Sequence, residues 1–252
     1  MSLHKLRIWL QWLVAFFFAS TILAVIALRY IPVYITPLMV IRTCQQVVGS
    51  EKKEHDHIIC LHHTWTPLED ISPHLPVAVM ASEDQRFLVH HGFDFDAIQQ
   101  AARHNRKGGT VHGASTISQQ TAKNVFLWPG RSWIRKGLEM YFTALIEIFW
   151  SKQRIMECYL NSIEMGPGIY GAEAVAEYHF DQKHASELTR SDCALIAATL
   201  PNPRKYSSLR PSYYMRQRQQ RIGREMLYIP TFPRHGEKIN PKTVRGGIYK
   251  NK

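Results

Sequence analysis

Two adjacent carboxylates, Glu83 and Asp84, close an apolar run (Val77 to Ala81) at the head of the stretch SEDQRFLVHHGFD. Such a pair can divide labour. One carboxylate takes a proton as general base, and the other orients a backbone group or an arginine. The apolar run reads as a helix ending here, and a carboxylate at a helix C-terminus faces the negative end of the dipole, which strengthens it as a base. An ordinary polar helix end followed by a turn at Gly92 accounts for the same residues. Taken alone, that is the commoner arrangement.

Cations follow downstream. In GGTVHGASTISQQTAKN, glycines from Gly108 precede a helix and offer backbone N–H groups to an anion. Gln119 and Lys123 share one helical face, and Lys123 supplies a point charge for phosphate. The order is not GxxxxGK[ST], so this is no Walker loop. In SWIRKGLE, Arg135 and Lys136 precede Glu139. A cation ahead of its carboxylate is the weaker order for a helix pair, which slightly favours a site over a surface salt bridge. In SKQRIMECYLN, Lys152 and Glu157 are five apart and form no ideal helix pair, and Tyr159 and Asn161 could hydrogen-bond at a core or a groove, but an amphipathic helix with a charged outer face is the better reading for each residue alone. His55, His57, His62 and His63 with Cys60 lack a regular zinc spacing, so a solvated linker and short strand is the reading, and no metal ligand is assigned.

The elements that must position these residues read as helices. Pro76 suits an early helix position. Ser115, Ser132 and Ser151 each suit an N-cap. Thr189 to Asp192 forms a capping box before CALIAATL, which Pro201 and Pro203 stop. Ile8 to Leu28 contains no charged residue. About 20 helical residues span the ~30 Å hydrocarbon layer, so this is expected to be an uncleaved anchor rather than a signal peptide, which has a shorter apolar core and a small-x-small cleavage site. Lys5 and Arg7 favour a cytoplasmic N-terminus, although Arg29 weakens the asymmetry. The expected division is a cytoplasmic stub and transmembrane anchor over 1–29, a connector over 30–70, a catalytic domain over 71–229 and a mobile basic tail over 230–252. In the connector, Pro32, Pro37 and β-branched residues argue against a long helix. The 252 residues carry a net charge of +11, which points to an anionic partner. No helix-turn-helix, zinc-finger or RNA-recognition signature is present. Four cysteines exclude a disulfide-dense scaffold, while Cys44 and Cys60 could pair in an oxidising compartment.

The strings EDQRFLVHHGFD, GASTISQQTAKN, RKGLE, SKQRIMECYLN and GIYGAEAVAEYHF, in that order over roughly residues 75–205, resemble the glycosyltransferase domain of class A penicillin-binding proteins and monofunctional peptidoglycan glycosyltransferases. The space left for a transpeptidase domain is too small, so the monofunctional type is expected. The resemblance implies a mainly α, lysozyme-like, two-lobed helical domain behind one N-terminal transmembrane helix. It implies polymerisation of lipid II into β-1,4 glycan strands, with inversion at the anomeric carbon and release of undecaprenyl diphosphate. By motif position, Glu83 is the general base toward the acceptor 4-hydroxyl. Glu139 is the second carboxylate, its role open between binding a cation and handling the leaving diphosphate. Lys123, Arg135 and Lys136 fall near that diphosphate, and Ser115, Gln119, Lys152 and Tyr159 at other groove positions. A divalent cation, Mg or Mn, at the diphosphate stays open. Expected partners are lipid II, the growing strand, inner-membrane lipids and other cell-wall synthesis or division proteins, without nucleic acid. The expected location is the bacterial inner membrane, with a periplasmic catalytic domain. Phe126, Leu127, Trp128 and Trp133 around Pro129-Gly130 read either as an apolar segment dipping into the bilayer or as core. The chain departs from the family's YFGK at His179 to Lys183, which resembles a one-residue insertion. A lysozyme-like glycan-cleaving enzyme and a membrane-tethered basic binding protein are the rival readings.

Overall fold

The computed structural model describes residues 3–50, 61–106 and 113–237. Helix α1 (Leu3–Leu28) is apolar on every face and almost wholly exposed. At 1.5 Å per residue it is about 39 Å long, enough to cross a bilayer. The connector holds a helix that the sequence reading did not expect, α2 (Pro37–Ser50). Pro37 occupies its first turn, where a missing N–H costs nothing, and Thr36 Oγ1 accepts the Met39 N–H at 3.2 Å.

Eight further helices follow among the described residues: α3 (His74–Glu83), α4 (Phe95–Arg106), α5 (Ile117–Phe126), α6 (Trp133–Phe149), α7 (Lys152–Ser162), α8 (Ala172–His179), α9 (Arg190–Thr199) and α10 (Tyr213–Glu225). They pack as two groups, α5 with α6 and α7, and α3 with α9 and α10. A small sheet runs in the order β1 (His62–His63), β3 (Ile169–Tyr170), β2 (Glu164–Gly166). β1 lies parallel and β2 antiparallel to β3. Gly171, which opens α8, has φ +87°, and a Cβ there would stand 2.9 Å from the Asn161 carbonyl oxygen. No side chain fits that close approach.

Ser132 and Ser151 cap α6 and α7 as expected, and the Thr189–Asp192 box caps α9. Helix α5 corrects the reading. Its cap is Thr116 rather than Ser115. Thr116 Oγ1 accepts the Gln119 N–H, and Gln119 Oε1 accepts the Thr116 N–H. Helix α7 is the second correction. It is no surface helix, for Gln153 through Ser162 are all buried. Its charges are neutralised by pairing, Arg154 with Glu157, because a lone buried charge would be prohibitively expensive. The divergent turn after α8 puts Asp181 and Gln182 at φ +54° and +60°, a left-handed conformation in which short polar residues such as Asp are tolerated better than bulky ones.

Residues 231–237, expected in the tail, are described and pack on the domain. Phe232 stacks on Phe87 with centroids 6.3 Å apart, and Gln153 Nε2 donates to the carbonyls of Arg234 and Glu237. Residues 238–252 lie outside the described part, as do His55, His57, Cys60, Gly108 and Gly109. The expected Cys44–Cys60 pairing therefore concerns a residue outside it too.

Helix α6 runs back along α1. Trp150, at its C-terminal end, donates to the Val25 carbonyl at 2.8 Å. Tyr141, further back, meets Thr21 through a 2.8 Å hydroxyl hydrogen bond and lies beside Phe17 and Phe18. The start of α6, with Trp133 93% and Ile134 76% exposed, therefore points away from the anchor's C-terminal end.

Candidate active site

Glu83 ends α3, and Asp84 is the residue after it. Their environments differ. Asp84 is buried, accepts the Ile117 N–H on Oδ2 at 3.0 Å and holds His90 Nε2 at 2.9 Å. It fastens α3 to the N-terminus of α5, where a negative charge is favoured. Asp84 is thus the orienting carboxylate of the pair, with a backbone N–H and a histidine as its partners.

Glu83 faces a cleft of about 300 Å³ that Asp84, Asp94, Ser115, Arg221 and Glu225 also line. Its Oε1 accepts the Ser82 hydroxyl at 3.0 Å, and its Oε2 accepts the Gln120 side-chain N–H at 3.1 Å. Arg218, from α10, stands 4.0 Å from Oε1 and donates to Ser82 Oγ at 3.2 Å. Gln120 Oε1 in turn accepts the Tyr159 hydroxyl at 3.4 Å. Burial, reinforced by the charges of Glu83 and Asp84, holds the Tyr159 hydroxyl well above the usual tyrosine pKa, so it stays an O–H donor. The carboxylate is thereby held from three sides and left open toward the cleft.

The cations gather on α5 and α6. Glu139 is buried, with Arg135 Nη1 at 3.0 Å from Oε2 and Lys136 Nζ on Oε1. Lys123 links this group to the base. Burial lowers its pKa, Glu139 and Glu83 raise it, and Arg135 and Lys136 lower it further. Lys123 lies three residues after Gln120 on α5, the helix that packs on α6. Arg135 and Lys136 engage both oxygens of Glu139. A different trio, Glu69, Glu157 and His235, brings ligand atoms within 4.8 Å of one another, but it sits at the anchor end, outside the cleft lining. Of the expected histidine group, His62 lies against the Tyr178 ring at 3.8 Å, and burial lowers the pKa of His63.

The nine expected residues separate. Arg135, Lys136 and Glu139 come together, Tyr159 reaches Glu83 through Gln120, Lys123 lies three residues after Gln120 on α5, and Ser115 lies exposed in the cleft lining. Gln119 does not face the cleft: its side-chain oxygen closes the α5 capping box. Lys152 pairs with Glu147 at 2.7 Å and sits 4.5 Å over the Phe87 ring. Burial lowers its pKa, against the pull of Glu147 and Asp84. Sequence reasoning missed Gln120, Ser82, Arg218 and Glu147. Thr116-x-x-Gln119 is itself a capping-box pattern. It marks Gln119 as occupied and leaves Gln120 free, so that signal was present. Arg218 arrives from the far end of the domain without any local sign. The apolar segment also divides. Leu127 is core and Phe126 stacks on Phe142 at 4.5 Å, whereas Trp128 and Trp133 are exposed.

Residues 52–227 match the family described as Transglycosylase. A biosynthetic peptidoglycan transglycosylase of Bacteroides thetaiotaomicron is 59% identical over 221 residues, covering 88% of this chain and 86% of the relative. One of Bdellovibrio bacteriovorus is 51% identical over 219 residues, covering 87% and 85%. One of Caulobacter vibrioides is 51% identical over 206 residues, covering 82% and 84%.

Proposed function

The chain belongs to the biosynthetic peptidoglycan transglycosylases, enzymes that polymerise glycan strands, and we propose that Glu83 and the Lys123–Arg135–Lys136 group are the two halves of its polymerising centre. The substrate is lipid II and the product a lengthening glycan strand. In this reading Glu83 removes the proton from the acceptor sugar hydroxyl as that oxygen attacks the anomeric carbon of the donor. The bond to the diphosphate breaks on the opposite face, so the configuration inverts. Lys123, Arg135 and Lys136 receive the charge that develops on the leaving diphosphate. Glu139 holds the two α6 cations in place, and Ser115 contributes a hydroxyl to the acceptor side. The reaction so written has no step through a metal.

One observation carries the reading: Gln120, which donates to Glu83, and Lys123 are three residues apart on α5, and α5 packs on α6, which bears Arg135, Lys136 and Glu139. Those cations also favour synthesis over the lysozyme-like alternative, which has no diphosphate to stabilise. The test is Glu83→Gln assayed on purified lipid II. Strand formation should fall by about 10²–10⁴-fold, the usual worth of a positioned base, with a cooperative melt retained. An unchanged polymer yield refutes the assignment.

For location, the long apolar helix supports a single-pass anchor in the bacterial inner membrane, with the domain on the periplasmic side. Tyr141 meets α1 at Thr21, seven residues before its end, so the contact lies about 10 Å along the helix from that end. If α1 spans the bilayer, the exposed Trp133 and Ile134 reach the interface or deeper, which brings the cation group near the level of the lipid-borne diphosphate.

A further inference from the structure

The anchor is attached to the catalytic domain by more than its chain connection. Helix C-termini leave carbonyls without partners. At the end of α1, turn N–H groups satisfy Ile26 and Ala27. The others are taken by side chains of the catalytic domain. Trp150 Nε1 takes Val25 O at 2.8 Å. Arg154 takes Leu28 O through Nε at 3.1 Å and Nη2 at 2.8 Å, and Nη2 also reaches Ile31 O.

Arg154 is fixed from behind as well. Its Nη1 pairs with Glu157 Oε2, and Glu157 Oε1 accepts the Leu68 N–H at 3.2 Å. The guanidinium lies 5.0 Å from the Trp65 ring centroid and 5.9 Å from that of Trp150. The contacts use Nε, Nη1 and both directions of Nη2, which leaves little of the donor fork for a lipid phosphate. A cation at a helix C-terminus is favoured by the dipole.

We propose that Arg154, clamped between the carbonyl end of α1 and Glu157, is a positioning residue for polymerisation, because it makes the anchor and α7 one rigid unit and so sets the height and tilt of the cleft over the bilayer. The proposal rests on the reading that this cleft uses membrane-borne lipid II. Apolar contact alone cannot set that geometry, since lipid competes equally for an apolar helix face. Hydrogen bonds to named carbonyls fix both rotation and register. Helix α7 then transmits the position, for Tyr159, on the same helix, is tied through Gln120 to Glu83. A lysine could not replace the fork, because one ammonium cannot span two carbonyls and a carboxylate in this arrangement.

The test compares two formats of the full chain. One is proteoliposomes carrying full-length lipid II. The other is detergent with a short-chain lipid II analogue, where the substrate reaches the cleft at any height. Arg154→Gln and Arg154→Lys should raise KM in proteoliposomes by about tenfold or more, in line with the cost of ångström-scale misplacement. In detergent they should stay within about twofold of the parent, the size of effect expected when the chemistry is untouched. Equal losses in both formats, or none in either, overturn the proposal. Should the Arg154 variants fail to melt cooperatively, Trp150→Phe decides, because it removes the N–H to Val25 while leaving the hydrogen bonds of Arg154 itself in place. A loss confined to proteoliposomes supports the clamp, and an equal or absent loss overturns it. Glu83→Gln in detergent is the separate control. Its full activity would overturn the cleft reading independently of the format comparison.

Discussion

Gln120 offers the sharpest test of how the base is held, because it joins two groups with different fates. Its side-chain N–H reaches Glu83 at 3.1 Å, and its side-chain oxygen receives the buried Tyr159 hydroxyl at 3.4 Å. Gln120→Ala removes both contacts. A hydrogen bond to a charged group is worth about 1.5–3 kcal/mol, and each 1.4 kcal/mol is tenfold in rate, so kcat should fall by about 10–100-fold. The orphaned Tyr159 hydroxyl adds a cost to stability of about 1–3 kcal/mol, with the 3.4 Å separation pointing to the lower end. The two effects come apart in the double variant Gln120→Ala, Tyr159→Phe. Removing the hydroxyl takes away the unsatisfied group, so the melting temperature should recover toward the parent while kcat stays low. The assays are thermal unfolding and initial rates of strand formation on lipid II at saturating substrate. Wild-type kcat in Gln120→Ala would refute the claim that Gln120 orients Glu83. Recovery of kcat along with stability in the double variant would show that the loss came from the fold.

Two further outcomes follow from neighbouring residues. Gln119→Ala opens the α5 capping box and should cost about 1 kcal/mol of stability with little change in kcat, which thermal unfolding and the same rate assay check together. Burial and two adjacent cations hold the Lys123 pKa below the ordinary lysine value, so the deprotonated, inactive form accumulates as pH rises. The alkaline limb of kcat/KM should therefore fall below about pH 10.4, the unperturbed lysine value. Lys123→Arg keeps its charge throughout and should lose that limb at some cost in rate.

Much of the architecture was legible because strong local signals governed it. Ser132, Ser151 and Thr189 stand where side-chain oxygens must meet helix N–H groups, and the structure uses them so. Misreadings arose where two local signals competed or where burial overrode pattern. Pro37 was taken as a helix breaker although it suits a first turn. Ser115 and Thr116 are both good caps, and only the following Gln119 selects Thr116. In α7 the charged residues suggested a wet face, but Arg154 and Glu157 neutralise each other and the helix lies buried. The position of Lys152 against Glu147 depends on how α6 packs on α7, and that tertiary fact leaves no local mark. The same holds for Arg218, whose partners Ser82 and Glu83 lie over a hundred residues earlier.

The charge pattern of the cleft shows why these residue types must be arrayed across two helical groups. During transfer, negative charge moves from the acceptor oxygen toward the departing diphosphate. Lys123, Arg135 and Lys136 outnumber Glu139 on the side proposed for the leaving group. On the base side Glu83 has Arg218 only at 4.0 Å, too far for a close ion pair. The fixed field therefore favours charge flowing in the direction of the reaction, and it does so before substrate arrives, which spares the reorganisation that water would require. Lys152 would have strengthened the cation side had it been free. Its pairing with Glu147 instead keeps that excess local to α5 and the start of α6. The site's polarity thus depends on which lysines are neutralised as much as on which are present.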